Sequence, residues 1–184
     1  EQCMFICYGS GSNGKGTFLN TLAAVMGDYA MTTRADTLIE KQNAGGIPND
    51  IAALAGMRFV VASETDAGDV LDAALIKTAT GEDTMQARFL NKEFFNFVAR
   101  FKVALMTNHK PIIKDTSNGM WRRLRMIHFA QRFDGGTKDL DLKNKLESEY
   151  PGILRWILDG VIEWNRIGLA PPKQVLDDTE EYRR

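Results

Sequence analysis

The stretch that decides the fold runs from residue 4 to residue 26 and reads MFICY GSGSNGKGT FLNTLAAVM. Residues 4–8 are a short apolar run typical of a buried strand, and residues 17–26 place apolar side chains at helical spacing. The sequence therefore predicts a strand, a tight glycine loop and a helix, in that order. Backbone N–H groups in such a loop, together with the start of the helix, form a site for phosphate.

The loop matches the P-loop pattern of a glycine, four residues, a second glycine and a lysine. Lys15 is predicted to neutralise the outer phosphates of ATP. The next position usually carries a Ser or Thr that binds Mg²⁺, but here it is Gly16, so either the Thr17 hydroxyl or a water takes that place. We expect the nucleotide to bind along Gly9, Ser10, Gly11, Ser12, Asn13, Gly14, Lys15, Gly16 and Thr17.

The loop also satisfies the dinucleotide fingerprint, with glycines at positions 9, 11 and 14. That site needs an acidic residue at the end of the second strand, about 20 residues further on. Asp28 and Asp36 straddle this position, and neither follows a convincing strand. We therefore favour the P-loop over a dinucleotide site or a merely structural glycine turn.

Polar side chains follow two further predicted strands. Glu64 comes after the apolar run 59–62, with Asp66 two residues later, and Asn108 follows the run 101–106. Strands that alternate with helices predict an α/β fold with a mostly parallel sheet, whose ligands bind at the carboxyl ends of the strands. Glu64 is the candidate that polarises the attacking water, Glu64 and Asp66 are candidate Mg²⁺ ligands, and Asn108 is the candidate γ-phosphate sensor. Without the loop, Glu64 would be read as a solvated acid and Asn108 as a turn residue.

Other segments complete the predicted organisation. Residues 72–80 indicate a short helix, 85–98 a β-hairpin, 124–129 a fourth or edge strand, and 41–48 a loop of turn formers. Helical signals follow residue 138, with an apolar stripe at Ile153, Trp156, Ile157, Val161 and Trp164. We divide the chain into a P-loop ATPase core, residues 1–133, and a C-terminal helical segment packed on it, residues 134–184.

Basic residues concentrate in one segment, although the formal charge of the whole chain is only −1. Residues 86–132 carry ten Lys or Arg against two acidic residues, with phenylalanines interleaved, a pattern typical of single-stranded nucleic-acid binding. Lys92, near the predicted hairpin tip, and Arg88 are the candidate DNA contacts. Arg122 and Arg123 form either an arginine finger for a neighbouring subunit or a solvated basic pair.

Taken together, five motifs resemble those of superfamily 3 helicases, and most closely the P4-type phage and plasmid primase–helicases and the poxvirus D5-like proteins. They are the glycine loop, residues 58–66 (RFVVASETD), 90–93 (LNKE), 101–111 (FKVALMTNHKP) and 121–123 (WRR). The resemblance implies an AAA+-like ATPase that uses ATP and Mg²⁺, assembles as a ring, commonly a hexamer, and moves single-stranded DNA through a channel. It makes Lys15 the Walker A lysine, Glu64 the Walker B acid, Asn108 the sensor, Lys92 the channel contact and Arg122 or Arg123 the finger.

Composition bounds the remaining alternatives. Two cysteines, Cys3 and Cys7, provide no disulfide framework or zinc site, and no apolar stretch reaches the roughly 20 residues of a membrane span. We expect a fragment of a longer cytoplasmic replication protein, in the bacterial host if phage or plasmid encoded. The rival functions are a small-molecule P-loop kinase and a non-catalytic nucleic-acid-binding module.

Overall fold

A parallel sheet organises the molecule. The computed structural model describes residues 1–40, 49–63 and 66–184, so the predicted loop 41–48 and the predicted acid Glu64 lie outside the described residues. Within them, the sheet strands are β1 (Met4–Tyr8), β2 (Ala30–Arg34), β3 (Phe59–Ser63), β6 (Lys102–Thr107) and β7 (Leu124–His128), in the order β2-β3-β6-β1-β7. All four pairings are parallel, which confirms the predicted α/β class. The strand predicted at 124–129 is an edge strand.

One face of the sheet is covered by α1 (Lys15–Met26), which the loop joins to β1. Leu19 of this helix packs with Cys7, Val61 and Ala104 from three different strands. Gly27 ends the helix with a φ of 54°, a conformation that favours glycine. The predicted strand, loop and helix are therefore present in the predicted order.

The opposite face carries the larger core cluster. Met4, Ile6, Leu105 and Met126 project from the strands into it, and the short helices α2 (Asn49–Ala53), α3 (Ala73–Thr80) and α4 (Asn118–Trp121) contribute to it. The central strands are consequently buried on both faces, which explains why they read as nearly continuous apolar runs. Residues 118–121 form one short helical turn, which Ser117 caps by accepting from the Met120 N–H.

The predicted hairpin is present as an antiparallel pair, β4 (Thr84–Ala87) and β5 (Phe95–Val98). Met85 and Ala87 face the core, whereas the tip around Asn91 is exposed. Asn91 takes a φ of 59°, which Asn tolerates better than most residues. Because β5 leads directly into β6, the hairpin is rooted at the amino end of the sheet.

The C-terminal region is helical, with α5 (Leu142–Ser148), α6 (Tyr150–Ile167) and α7 (Lys173–Arg183). Helix α7 runs along the edge strand β7, where the Met126 N–H donates to Thr179 Oγ1 at 3.0 Å. Helix α6 contacts α1, but none of its residues is buried, and Trp156 is 61% exposed. No helix in the described part of the chain has the length and hydropathy needed to cross a membrane.

Candidate functional site

The glycine loop lies at the carboxyl end of β1, where its backbone makes a tight turn. Gly9 has a φ of 143°, and a β-carbon there would lie 2.5 Å from the Phe129 carbonyl oxygen. Gly14 has a φ of 85° and caps the start of α1. Both positions therefore require glycine, one for a close approach and one for a left-handed conformation.

Lys15 is held inside this loop and is only 5% exposed. Its ammonium group donates to the Gly9 carbonyl at 2.7 Å, to Asn13 Oδ1 at 3.1 Å and to Asn108 Oδ1 at 3.0 Å. Asn13 in turn donates to the Phe129 carbonyl at 3.0 Å, which fixes its side-chain oxygen toward Lys15. All three ammonium protons therefore have acceptors, and the charge points into the loop.

The electrostatics of Lys15 follow from its position. Burial lowers the pKa of its ammonium group below the ordinary value of 10.5. Its three partners are neutral oxygens, so no carboxylate compensates its charge in these contacts. A desolvated cation with neutral partners is favourably placed to attract a phosphate.

A cavity of about 380 Å³ lies in front of the loop. Its walls combine the loop and first helical turn with the ends of two neighbouring strands, and are formed by residues 11–17 together with Ser63, Met106, Thr107 and Asn108. The cavity adjoins a groove of about 1350 Å³ between α1 and the helices α5 and α6. Phe133 lines this groove, and its ring atom Cε2 would lie 3.6 Å from a β-carbon on Gly14. The cavity in front of the loop thus continues into a partly aromatic groove.

The predicted site residues meet only in part. Lys15, Thr17 and Asn108 line one cavity, and strand β6, which Asn108 directly follows, lies between the loop strand β1 and β3. Asp66 is exposed and does not line that cavity, and its backbone N–H donates to Asp69 Oδ2. Among the described residues, no cluster of three or more His, Cys, Asp or Glu side chains could hold a metal ion.

Arg122 and Arg123 lie at the other end of the sheet, where the Met4 N–H donates to the Arg123 carbonyl. Arg123 is 9% exposed, and its guanidinium donates to Thr80 Oγ1 at 3.0 Å and to the Gly119 carbonyl. Arg122 is exposed and donates to Gln2 Oε1 at 2.8 Å. Arg122 is therefore accessible to another molecule, whereas Arg123 is buried within its own chain.

The candidate DNA contacts lie at the hairpin tip. Lys92 is exposed, and the guanidinium of Arg88 stacks on the Phe94 ring at 4.6 Å from its centroid. Phe94 is itself 53% exposed, so the tip presents an aromatic ring beside two positive charges.

The basic segment does not form one continuous patch. Lys114 pairs with Glu40 and Arg132 with Asp134, while Arg123 is buried. The exposed basic residues that remain lie apart from one another, among them Lys92 at the hairpin tip, Arg122 before β7 and Lys110 after β6.

Sequence reasoning missed three residues of the cavity and groove. Ser63 and Met106 lie within the motifs 58–66 and 101–111 but were not singled out there, and Phe133 lies outside every motif, because all three reach the site through strand pairing and through the return of the chain after β7. Ser63 pairs with Met106, two residues before Asn108, and only the folded sheet shows this register.

The chain is similar to proteins of several viruses. It is 31% identical over 202 residues to "Putative helicase L207/L206" of Acanthamoeba polyphaga mimivirus, covering 100% of this chain and 21% of that protein. It is 29% identical to "Putative helicase 022R" of Frog virus 3, again covering 100% and 21%. A match at 30% identity to "Putative primase C962R" of African swine fever virus covers 72% of this chain and 14% of that protein. The chain thus spans about a fifth or less of the length of these relatives.

Solved structures share the fold. The apo structure of the NrS-1 C-terminal region superimposes with a TM-score of 0.62 at 14% identity, over 82% of this chain and 35% of that one. A second structure of the same region gives a TM-score of 0.57. The model of the family described as "Family of unknown function (DUF5906)" matches residues 7–123, which include the loop, Asn108 and Arg123. Because this match spans more than half of the chain, the protein belongs to that family.

Proposed function

We propose that this chain is the ATP-hydrolysing motor region of a DNA helicase that acts in replication. The observation that carries the proposal is the position of Lys15, desolvated within a glycine loop and bonded to Asn108 at the end of the neighbouring strand. The helicase and primase names of the viral relatives support it. A lysine and a polar sensor around one cavity is the arrangement that positions and neutralises a transferring γ-phosphoryl group.

ATP is the proposed ligand. Its phosphates would occupy the cavity before residues 11–17, and its nucleoside would extend into the adjoining groove beside Phe133. Mg²⁺, which prefers oxygen ligands, would supply further neutralisation of the phosphates. Its proposed partners among the predicted residues are the Thr17 hydroxyl, which lines the cavity, and the Glu64 carboxylate, which directly follows β3. Asp66, exposed outside the cavity, is the weaker candidate.

Single-stranded DNA is the proposed substrate, with the hairpin tip as its contact surface. Lys92 and Arg88 provide charge there, and the exposed Phe94 ring provides a face on which a base can stack. The ATP site and the tip lie toward opposite ends of the sheet, so hydrolysis and DNA contact use different surfaces. In a ring, Arg122 is the better proposed finger, because Arg123 already donates within its own subunit.

The experiment measures ATP binding and hydrolysis by the 184-residue chain, with and without single-stranded DNA, alongside Glu64→Gln and Asp66→Asn. We expect ATP binding and DNA-stimulated hydrolysis that Glu64→Gln stops and Asp66→Asn preserves. Turnover that ignores DNA and requires a small acceptor would support the kinase instead. DNA binding with steep salt dependence but no nucleotide binding would support the non-catalytic module and refute our proposal.

A further inference from the structure

The position after Lys15 has no side chain to offer a hydroxyl. A β-carbon built on Gly16 meets only Met106 Sδ at 3.6 Å and Asn20 Nδ2 at 4.0 Å, which are ordinary contacts. The absence of a side chain here is therefore not imposed by crowding. The nearer of these contacts shows that residue 16 faces Met106 on β6.

Thr17 does not face that direction. Successive residues of a helix are about 100° apart, so the side chain of residue 17 leaves α1 at a different angle. Thr17 is exposed and lies on the wall shared by the phosphate cavity and the large groove. A hydroxyl on the strand side of the cavity, toward which residue 16 faces, would therefore have to come from another residue.

Ser63 lies on that side. It is the last residue of β3, and its side chain shares a face of the sheet with Phe59 and Val61, which pack around α1. Its register partner on β6 is Met106, the residue that Gly16 faces. Ser63 also lines the same cavity as Lys15.

The Ser63 hydroxyl is available for a ligand. Within the part of the chain that the structure describes, it makes no hydrogen bond, whereas Thr33, Thr80 and Ser117 do use their hydroxyls. A serine hydroxyl is a neutral oxygen that can bind Mg²⁺, as the Ser or Thr of the usual P-loop does. The residues present thus fit a cation that accompanies ATP.

We propose that Ser63, at the end of β3, supplies the metal-binding hydroxyl that the loop lacks at Gly16. This inference rests on the proposed ATP site and assigns to Ser63 the hydroxyl role for which Thr17 is the alternative. It predicts that a hydroxyl at position 16 on α1 can replace the one at position 63 on β3 without loss of Mg²⁺-dependent ATP binding.

The test compares Ser63→Ala, Gly16→Ser, the double variant and Thr17→Ala, with Ser148→Ala on α5 as a matched control. The measurement is the affinity for a non-hydrolysable ATP analogue by titration, in Mg²⁺ and in excess chelator. Bound Mn²⁺, read by electron paramagnetic resonance, gives a second signal that does not depend on turnover. Thermal melting verifies that each variant folds.

We expect Ser63→Ala to lower the Mg²⁺-dependent gain in affinity by about tenfold or more, as loss of a metal-shell group does, without changing affinity in chelator. Adding Gly16→Ser should restore that gain. An unchanged gain in Ser63→Ala, or a loss only in Thr17→Ala, would overturn the inference while leaving the ATP site intact. A wild-type chain that binds no nucleotide would instead refute the proposed function.

Discussion

The ammonium nitrogen of Lys15 lies 3.0 Å from the side-chain oxygen of Asn108 and so connects two neighbouring strand ends. The two residues are far apart in sequence and meet because β1 and β6 pair in parallel register, with Tyr8 opposite Thr107. A phosphate bound in the loop and contacting the Lys15 ammonium group would alter the hydrogen bond between Lys15 and Asn108. Asn108 is therefore placed to respond to a nucleotide bound in the loop.

Replacing Asn108 tests that relationship. Asn108→Ala should lower the proposed ATP turnover by about a hundredfold with a smaller effect on KM, because a donor that acts on the transition state is lost. Asn108→Asp should weaken ATP binding itself, since a carboxylate beside Lys15 competes with the phosphates. Steady-state kinetics and titration measure both, with Asn144→Ala on α5 as the control. Equal kinetics in wild type and Asn108→Ala would refute the sensor role.

The two glycines at the start of the loop should respond differently to alanine. Gly9→Ala forces a β-carbon to within 2.5 Å of a backbone oxygen at a φ that favours glycine, so we expect a loss of about 2 kcal/mol in unfolding free energy. A β-carbon on Gly11 meets nothing within 4 Å, so Gly11→Ala should melt like wild type. Chemical denaturation compares the two, and equal stabilities would mean that the loop relaxes freely.

The paired arginines should separate into a structural and an exposed role. Arg123→Ala should cost about 2 kcal/mol of unfolding free energy, because the Gly119 carbonyl and Gln2 lose a buried donor. Arg122→Ala should leave stability unchanged and lower hydrolysis by as much as about a thousandfold, as loss of a finger does.

A mixing experiment then tests whether Arg122 acts between subunits. Inactive Lys15→Ala subunits still carry Arg122, so they should partly restore hydrolysis to Arg122→Ala subunits. Mixtures that co-assemble without any rescue would place the action of Arg122 within its own subunit.

The hairpin tip should govern DNA affinity without governing the ATP site. Lys92→Ala should weaken single-stranded DNA binding and lower the salt slope by about one contact. Arg88→Ala should weaken binding further, because it also removes the cation stacked on Phe94. Fluorescence anisotropy at several salt concentrations measures both, with Lys173→Ala on α7 as the charge-matched control. A loss of affinity as large in the control would argue for a diffuse electrostatic effect.

Acid stability should depend on Asp115. The hydrogen bonds from Lys77 and from Ser117 hold the pKa of this carboxyl well below its usual range. A depressed pKa stabilises the fold fully above the unfolded value near 3.9, and that contribution is lost progressively as the pH falls from there through the lower pKa of the folded protein. Asp115→Asn should therefore lower Tm at pH 7, and its Tm should begin to approach that of wild type as the pH falls below about 4. A Tm difference that persists unchanged at pH 3 would contradict this, and Asp159→Asn on α6 is the control.

The sequence determined the local features. The apolar run, the glycine loop and the helical spacing over residues 4–26 specify strand, turn and helix because each depends only on near neighbours. The hairpin and the parallel sheet followed from alternation and from the order of elements, and both are confirmed. The polar residues at strand ends were recognisable because parallel strands gather their carboxyl ends at one edge.

Tertiary structure alone decided which residues are available at the site. Arg122 and Arg123 are indistinguishable by composition, and only the packing of α3 and α4 buries one of them. Ser63 lies on the side of the cavity that Gly16 faces because β3 pairs with β6. No local sequence pattern specifies the register of that pairing. The exposed apolar side of α6 likewise has the periodicity of a buried helix. Periodicity records which side chains share a face, whereas long-range packing determines what that face contacts.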